Sequence, residues 1–172
     1  MLPIHTILHP TDFSAHSNYA FRLACSLARD YGAQLIMAHV LERTAPVYSG
    51  VMTPMPPLPP SAEERQAVWD ELGEIKPPDP GIRIEYLLEE GDPATVILQL
   101  ARERQCQLIV LGSHGRTGLG RLLMGSVAEH VVRKASCPVL TVKTPQHLAP
   151  TTEKHVAFRD ALDSARRTGI RT

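Results

Sequence analysis

Residues Gln107–Ser126 read QLIVLGSHGRTGLGRLLMGS, a short apolar run followed by a loop that contains five glycines. The run Gln107–Leu111 predicts a strand, and Val127–Val132, after the loop, predicts a helix. Glycine is placed where the backbone must take a positive φ or approach something closely. A glycine loop that opens onto a helix N-terminus presents free N–H groups and the positive end of a helix dipole. The pattern therefore predicts a phosphate site between a strand and a helix.

The composition narrows the class of protein. A chain of 172 residues is long enough for one domain with a proper core. The net charge is zero and the isoelectric point is about 7.1, so no global field recruits nucleic acid or an anionic membrane. We find no apolar run that could span a membrane and no signal-peptide pattern at the N-terminus. Three scattered cysteines without a C-x-x-C pair predict reduced thiols and a cytoplasmic protein.

Apolar runs and helix-start signals alternate along the chain. The predicted strands are Ile4–His9, Gln34–Leu41, Ile82–Leu88, Gln107–Leu111 and Pro138–Val142. The predicted helices begin at Ser14, Ser61, Asp92 and Gly125 and end near Gly32, Ile75, Arg104 and Ala135. This alternation predicts an open α/β fold, a five-stranded parallel sheet with helices on both faces. Ligands of such sheets bind beyond the carboxyl ends of the strands, where the strand order reverses.

Two segments stand apart from the alternation, so we divide the chain into a domain at 1–143 and a C-terminal extension at 144–172. The proline-rich stretch Thr44–Pro60 predicts a surface loop without regular structure. In the extension, Phe158, Leu162 and Ala165 fall on one face of a predicted helix, which we expect to pack on its own domain. We expect Trp69, on the second helix, to lie in the core.

Two common phosphate-binding motifs do not fit. Gly120–Gly125 has the spacing of a P-loop, but Ser126 follows at once and the lysine that would reach the phosphates is missing. A dinucleotide motif fails as well, because Gly118–Gly120 is followed by Arg121 and two leucines. Arg116 and Arg121 are candidates for the positive charge that the missing lysine would carry.

A different pattern does fit the glycine loop. Gly112–Gly115 has the form G-x-x-G, and Gly125–Ser126 follows after nine residues. With Ile7–Ser14 and Cys137–Val142, this spacing resembles the nucleotide-binding universal stress protein family over about residues 2–143. The resemblance implies a Rossmann-like, doubly wound sheet with strand order 3-2-1-4-5. It also implies ATP, with or without Mg²⁺, in the switch-point crevice and a homodimer formed through the last strand, Pro138–Val142.

The resemblance also implies roles for individual residues. Asp12 would lie near the adenosine, the backbone of Val40 would meet the adenine edge, and Val127 would offer a further N–H. Ribose and phosphates would lie on the glycine loop, with the N–H groups of the first turn of the last helix free to bind them. The full set of candidate nucleotide-binding residues is Pro10, Thr11, Asp12, Val40, Gly112, Ser113, His114, Gly115, Arg116, Arg121, Gly125, Ser126 and Val127.

Simpler interpretations stay open for several of these residues. Asp12 also suits a turn before a helix, Val40 suits plain core packing, and Arg116 and Arg121 suit solvated loop positions. Three histidines near strand ends, which could converge as a metal or acid–base cluster, are His9, His39 and His114. Since no cysteine or second acid lies at ligand spacing, we expect neither a metal site nor a catalytic residue.

The function predicted from these observations is that of an ATP-binding regulatory module of the stress response, with little or no turnover. The partners expected are an adenine nucleotide, a second copy of the chain and an unidentified protein, but neither nucleic acid nor membrane. One alternative is a slow ATPase or self-phosphorylating enzyme that uses Asp12, His114 or Ser126. A second alternative is a nucleotide-free dimeric interaction protein.

Overall fold

The structure, a computed structural model, describes residues 3–42, 59–113 and 124–145. Predictions for most of the proline-rich stretch, for His114, Gly115, Arg116 and Arg121, and for the helix of the extension lie outside these residues. Within the described part of the chain, no helix has the length and apolar character needed to cross a bilayer.

Five parallel strands form one sheet in the order β3-β2-β1-β4-β5, which confirms the predicted fold and strand order. The strands are β1 Thr6–Pro10, β2 Gln34–Leu41, β3 Ile84–Glu90, β4 Leu108–Gly112 and β5 Val139–Val142. Three strands, β1, β3 and β4, extend one or two residues beyond their predicted ends. β1 continues to Pro10 because its neighbour β2 still offers a partner there, Ala38. β3 runs on to Glu90 because, at the edge of the sheet, its glutamates stay partly exposed.

Four helices connect the strands: α1 Ala15–Tyr31, α2 Ala62–Glu74, α3 Pro93–Glu103 and α4 Ser126–Lys134. The predicted caps of the first three are confirmed, since the side chains of Ser14, Ser61 and Asp92 each accept a hydrogen bond from a first-turn N–H. α1 ends at Gly32, whose φ of 61° is left-handed and suits glycine.

The helices cover both faces of the sheet. α1 and α2 lie over one face, where the buried core includes Ile7, Phe21, Leu35, Leu72 and Val110. α3 and α4 lie over the other, where it includes Leu8, Ile36, Ile97, Ile109 and Val131. The central strands are therefore buried on both sides, which explains why they read as continuous apolar runs rather than alternating ones.

The prediction that Trp69 lies in the core is wrong. Trp69 is 45% exposed, whereas Leu72, one turn further along α2, is fully buried. α2 packs on the outermost strand, β3, so only a narrow stripe of the helix meets the sheet.

His9 is a buried polar residue in the middle of the core. Its Nδ1–H donates to the carbonyl of Val110 at 2.8 Å, and its ring centroid lies 5.6 Å from that of Phe21. Within the described part of the chain, Nε2 has no hydrogen-bond partner. Burial lowers the pKa of His9 from 6.5 to about 4, although the Val110 carbonyl and Asp12 act in the opposite direction. The folded protein therefore holds His9 neutral.

This burial predicts a loss of stability in acid. The unfolded chain takes up the proton of His9 near pH 6.5, and the folded protein only near pH 4. The stability that depends on a neutral His9 is thus fully present above pH 6.5. The free energy of unfolding falls by about 3 kcal/mol between pH 6.5 and 4. Urea unfolding at a series of pH values measures this slope.

The variant His9→Asn keeps an N–H for the Val110 carbonyl but cannot titrate, so we expect its free energy of unfolding to depend less on pH. The control is His5→Asn, a change at an exposed histidine, which should keep the wild-type slope. Equal slopes in the wild type and His9→Asn would contradict the assignment.

Candidate functional site

The sheet order reverses between β1 and β4. β1 pairs with β2 on one side and with β4 on the other, through Ile7 to Leu108 and Leu8 to Ile109. After β1 the chain forms β2 and then β3 on one side of β1, and only then crosses to the other side to form β4. The reversal therefore lies between β1 and β4, and open α/β sheets bind ligands just beyond the carboxyl ends of the two strands at such a point. We call this place the crevice.

Thr11 organises the turn that leads from β1 into α1. Its N–H donates to the Ala38 carbonyl at 2.8 Å, and its hydroxyl oxygen accepts from the Phe13 N–H at 3.1 Å and from the Ser17 hydroxyl at 2.8 Å. The residue is only 6% exposed. The Thr11 hydroxyl is thus engaged within the turn, and the contact of Thr11 with a ligand stays a prediction.

Asp12 lies at the crevice as part of the same turn. Its carboxylate accepts from the Ser14 N–H at 3.1 Å, and the Ser14 hydroxyl in turn accepts from the Ser17 N–H to cap α1. The interpretation of Asp12 as a turn residue is confirmed. It remains partly exposed, so the prediction that it lies near an adenosine stays a prediction.

Phe13 and His39 support this turn, and sequence reasoning gave neither a place in it. Phe13 has a φ of 61°, which costs a residue with a side chain about 1–2 kcal/mol. Its ring lies 4.4 Å from that of His39, whose Nδ1–H donates to the Thr11 carbonyl at 2.7 Å. Since left-handed backbone is expected at glycine or asparagine, the sequence carries no signal for it at Phe13.

Main-chain hydrogen bonds tie the two ends of the glycine loop together. The Ser113 N–H donates to the Val142 carbonyl at 2.9 Å, and the Gly125 N–H donates to the Ser113 carbonyl at 2.8 Å. The Gly125 N–H is therefore engaged by an acceptor outside α4, and the role of Gly125 as a nucleotide-binding residue stays a prediction. Gly112, at the end of β4, pairs with Val142.

The N-terminus of α4 lies at the carboxyl edge of the sheet, after the glycine loop that follows β4. Its N-cap is Gly125 and no side chain caps it among the described residues, whereas α1, α2 and α3 each have a side-chain cap. Ser126, the first residue of the helix, is exposed, and Val127 follows it. The first N–H groups of a helix have no acceptor within it, so this end can accept an anion.

The remaining predicted residues frame the crevice. Pro10 ends β1 opposite Ala38, and Val40, two residues further along β2, is 8% exposed. Burial of Val40 fits core packing, and a contact through its backbone stays a prediction. His9 and His39 each donate from Nδ1 to a main-chain carbonyl. In residues 3–42, 59–113 and 124–145, no three His, Cys, Asp or Glu side chains are grouped so as to hold a metal ion.

Comparisons with known proteins agree with this architecture. The universal stress protein family model matches residues 3–143. A universal stress protein of Thermus aquaticus is 35% identical over 139 residues, which cover 80% of this chain and 98% of that protein. Universal stress protein MJ0531 of Methanocaldococcus jannaschii is 31% identical over 154 residues, which cover 81% of this chain and 82% of that protein.

A solved structure points the same way. The crystal structure of a universal stress protein in complex with cAMP is 26% identical to this chain, with a TM-score of 0.61. The match covers 84% of this chain and all of the other. Together with the family match over residues 3–143, these likenesses show that the chain belongs to the universal stress protein family.

Proposed function

We propose that this protein is a regulatory module of the stress response that binds ATP, with or without Mg²⁺, and turns it over slowly or not at all. The observation that carries the proposal is the crevice at the reversal of strand order, with the β1–α1 turn on one side and the open N-terminus of α4 on the other. A sheet edge that carries an ordered turn beside a helix N-terminus suits a nucleotide.

The proposed nucleotide lies across the carboxyl edge of the sheet. The adenine edge meets the backbone of Val40, and the adenosine lies against Pro10 and Asp12. The ribose and phosphates follow the glycine loop from Gly112 towards Ser126. The inward hydrogen bonds of the β1–α1 turn support this placement, because they hold the wall of the crevice rigid before a ligand arrives.

The phosphates of the proposed complex bind at the first turn of α4. The N–H groups of Ser126 and Val127, the Ser126 hydroxyl and the positive end of the helix dipole favour negative charge there. We propose that Gly115 and His114 of the glycine loop contact the nucleotide and that Arg116 and Arg121 neutralise phosphate charge. The relative solved with cAMP supports an adenine nucleotide as the ligand.

Slow turnover follows from the proposed role of Asp12. Rapid hydrolysis of ATP needs a positioned water and neutralisation of the charge that develops on the phosphates. Asp12 is the acid of the proposed site, and its carboxylate already accepts the Ser14 N–H within the turn. We propose that this bond holds the carboxylate in a structural role.

We also propose that two copies of the chain pair through β5. The sheet has two edges, and they differ in charge. The β3 edge carries Glu85, Glu89 and Glu90, the kind of residues that keep an edge from pairing. The β5 edge, Val139–Val142, has no charged residue, and Leu140 is 37% exposed.

The main chain of β5 supports the same pairing. Ile109 and Ser113 donate to the carbonyls of Pro138 and Val142, so the even-numbered residues of β5 direct their hydrogen-bonding groups towards β4. In a parallel pair, the alternate residues direct theirs away. Val139 and Thr141 therefore offer N–H and carbonyl groups to a second copy.

We place the protein in the cytoplasm and expect an unidentified protein to read its nucleotide state. The three cysteines, Cys25, Cys106 and Cys137, are free, as suits a reducing compartment. Burial raises the pKa values of the Cys25 and Cys106 thiols to about 11, which keeps both unreactive.

The phosphate site can be tested with a charge at the start of α4. In Ser126→Asp we expect at least a tenfold loss of ATP affinity by calorimetry, because a carboxylate takes the place proposed for the phosphates. The same change should keep or raise the thermal stability, since an acid suits a helix N-terminus. Ser126→Asn, similar in size but uncharged, should bind ATP within a few-fold of the wild type.

Unchanged affinity in Ser126→Asp would contradict the phosphate site. Wild-type protein that binds none of ATP, AMP and cyclic AMP would support the nucleotide-free interaction protein instead. Phosphate release from the same preparations should stay far below about 1 s⁻¹. A rate that reached this value would favour the alternative of an ATP-hydrolysing enzyme.

The dimer can be tested at Thr141. Light scattering at micromolar concentration should give twice the chain mass of 18.9 kDa for the wild type. Thr141→Pro removes an N–H that points away from β4, so we expect a folded monomer. Thr141→Val keeps the N–H and should stay dimeric. A monomeric wild type, or a dimer that survives the proline, would contradict pairing through β5.

A further inference from the structure

One flank of α1 and the neighbouring part of β5 form a partly exposed apolar surface. Leu23 and Leu140 are each 37% exposed, and Leu27 is partly buried. Leu140 is the register partner of Val110, whose side chain lies in the core beneath α1, so Leu140 stands on the α1 side of the sheet. We call the surface of Leu23, Leu27 and Leu140 the α1–β5 face.

Helix periodicity places this flank of α1 next to β5. His16, Leu23 and Leu27 are seven and four residues apart and share one stripe of the helix. The Nδ1 atom of His16 is hydrogen-bonded to the Thr144 hydroxyl at 2.9 Å, just beyond the end of β5. The leucines of the same stripe therefore face the β5 side.

The described helices leave the α1–β5 face partly uncovered. α3 and α4 lie on the opposite side of the sheet, and α2 packs on β3 at the far edge. Within the described ranges, α1 is thus the helix that reaches β5 on this side.

The chain leaves β5 on the same side. Thr144 is 7% exposed and is held against the first turn of α1 by its bond to His16. The chain that follows, 146–172, therefore starts at the top of the α1–β5 face. A helix that returned across the sheet from this point would run beside α1 in the same direction.

The length and the apolar pattern of the extension match the surface. Phe158, Leu162 and Ala165 fall on one helical face. A helix over 153–167 is about 22 Å long, and the stripe from His16 to Leu27 is about 17 Å long, at about 1.5 Å per residue.

We propose that residues 153–167 form a fifth helix that docks on the α1–β5 face, with Phe158 and Leu162 against Leu23, Leu27 and Leu140. The docked helix covers the face of the sheet on which α1 lies. It does not pair with the edge of the sheet, so the outward main-chain groups of β5 stay available. This inference does not rest on nucleotide binding.

Hydrogen exchange of the full chain, followed by mass spectrometry, tests the docking. We expect the amides of 153–167 to exchange at least tenfold more slowly in the wild type than in Phe158→Asp. That substitution falls in the extension at 144–172, so we expect the domain at 1–143 to stay folded. Fast exchange of 153–167 in the wild type would overturn the proposal.

A substitution on the surface itself tests the partner of the helix. Leu23→Asp changes an exposed position of α1 and should speed exchange of 153–167 as much as Phe158→Asp does. Val132→Asp is the matched control, because Val132 is 45% exposed on α4, on the opposite side of the sheet. It should leave the exchange slow. Protection that persists in Leu23→Asp, or that is lost equally in Val132→Asp, would contradict docking on this face.

Dilution separates the extension of the same chain from a second copy. Docking within one chain predicts the same exchange rates at high and at low protein concentration. Protection that appears only at high concentration would show that a second copy covers the α1–β5 face, and would overturn the proposal.

Discussion

The double pairing of β1 is the constraint on which the rest of the structure depends. β1 is bonded to β2 on one side and to β4 on the other, and Ile7, Leu8 and His9 are fully buried between the two helix layers. Since parallel neighbours need helical crossovers, the chain must leave β1 in one direction and come back on its other side. The crevice of the candidate site is a consequence of that path.

Local hydrogen bonds turn the crevice into a defined surface. Thr11 joins the end of β1 to β2 and to α1, and the left-handed residue Phe13 has its ring in tilted contact with that of His39. On the other side, Ser113 fixes the end of β4 to β5 and closes the glycine loop at Gly125. The groups proposed to bind a nucleotide are largely main-chain groups. Side chains such as that of Thr11 hold this main chain in place through hydrogen bonds within the turn.

The features that could be predicted from the sequence are those that depend on neighbouring residues. Caps such as Ser14 and Asp92 work within one helical turn, and continuous apolar runs predict strands buried on both sides. The order of those strands came from the family resemblance carried by the glycine spacing.

What could not be predicted depends on distant partners. The exposure of Trp69 follows from where α2 meets the sheet, and the positive φ of Phe13 goes together with a contact to His39, 26 residues away in the chain. The N–H of Gly125 is engaged because β4 delivers the Ser113 carbonyl to it. The roles of Asp12 and Val40 towards a nucleotide stay predictions, since their position is compatible with binding and with packing.

The most direct test of the account is a titration of ¹⁵N-labelled protein with ATP, observed by the shifts of individual backbone N–H signals. We expect the largest shifts along the crevice, at Asp12, Val40, Ser113, Ser126 and Val127. Two results would contradict a nucleotide site at the reversal of strand order. One is a set of shifts concentrated at the amino ends of the strands, around Ala28 and Arg83, and the other is no shift at millimolar ATP.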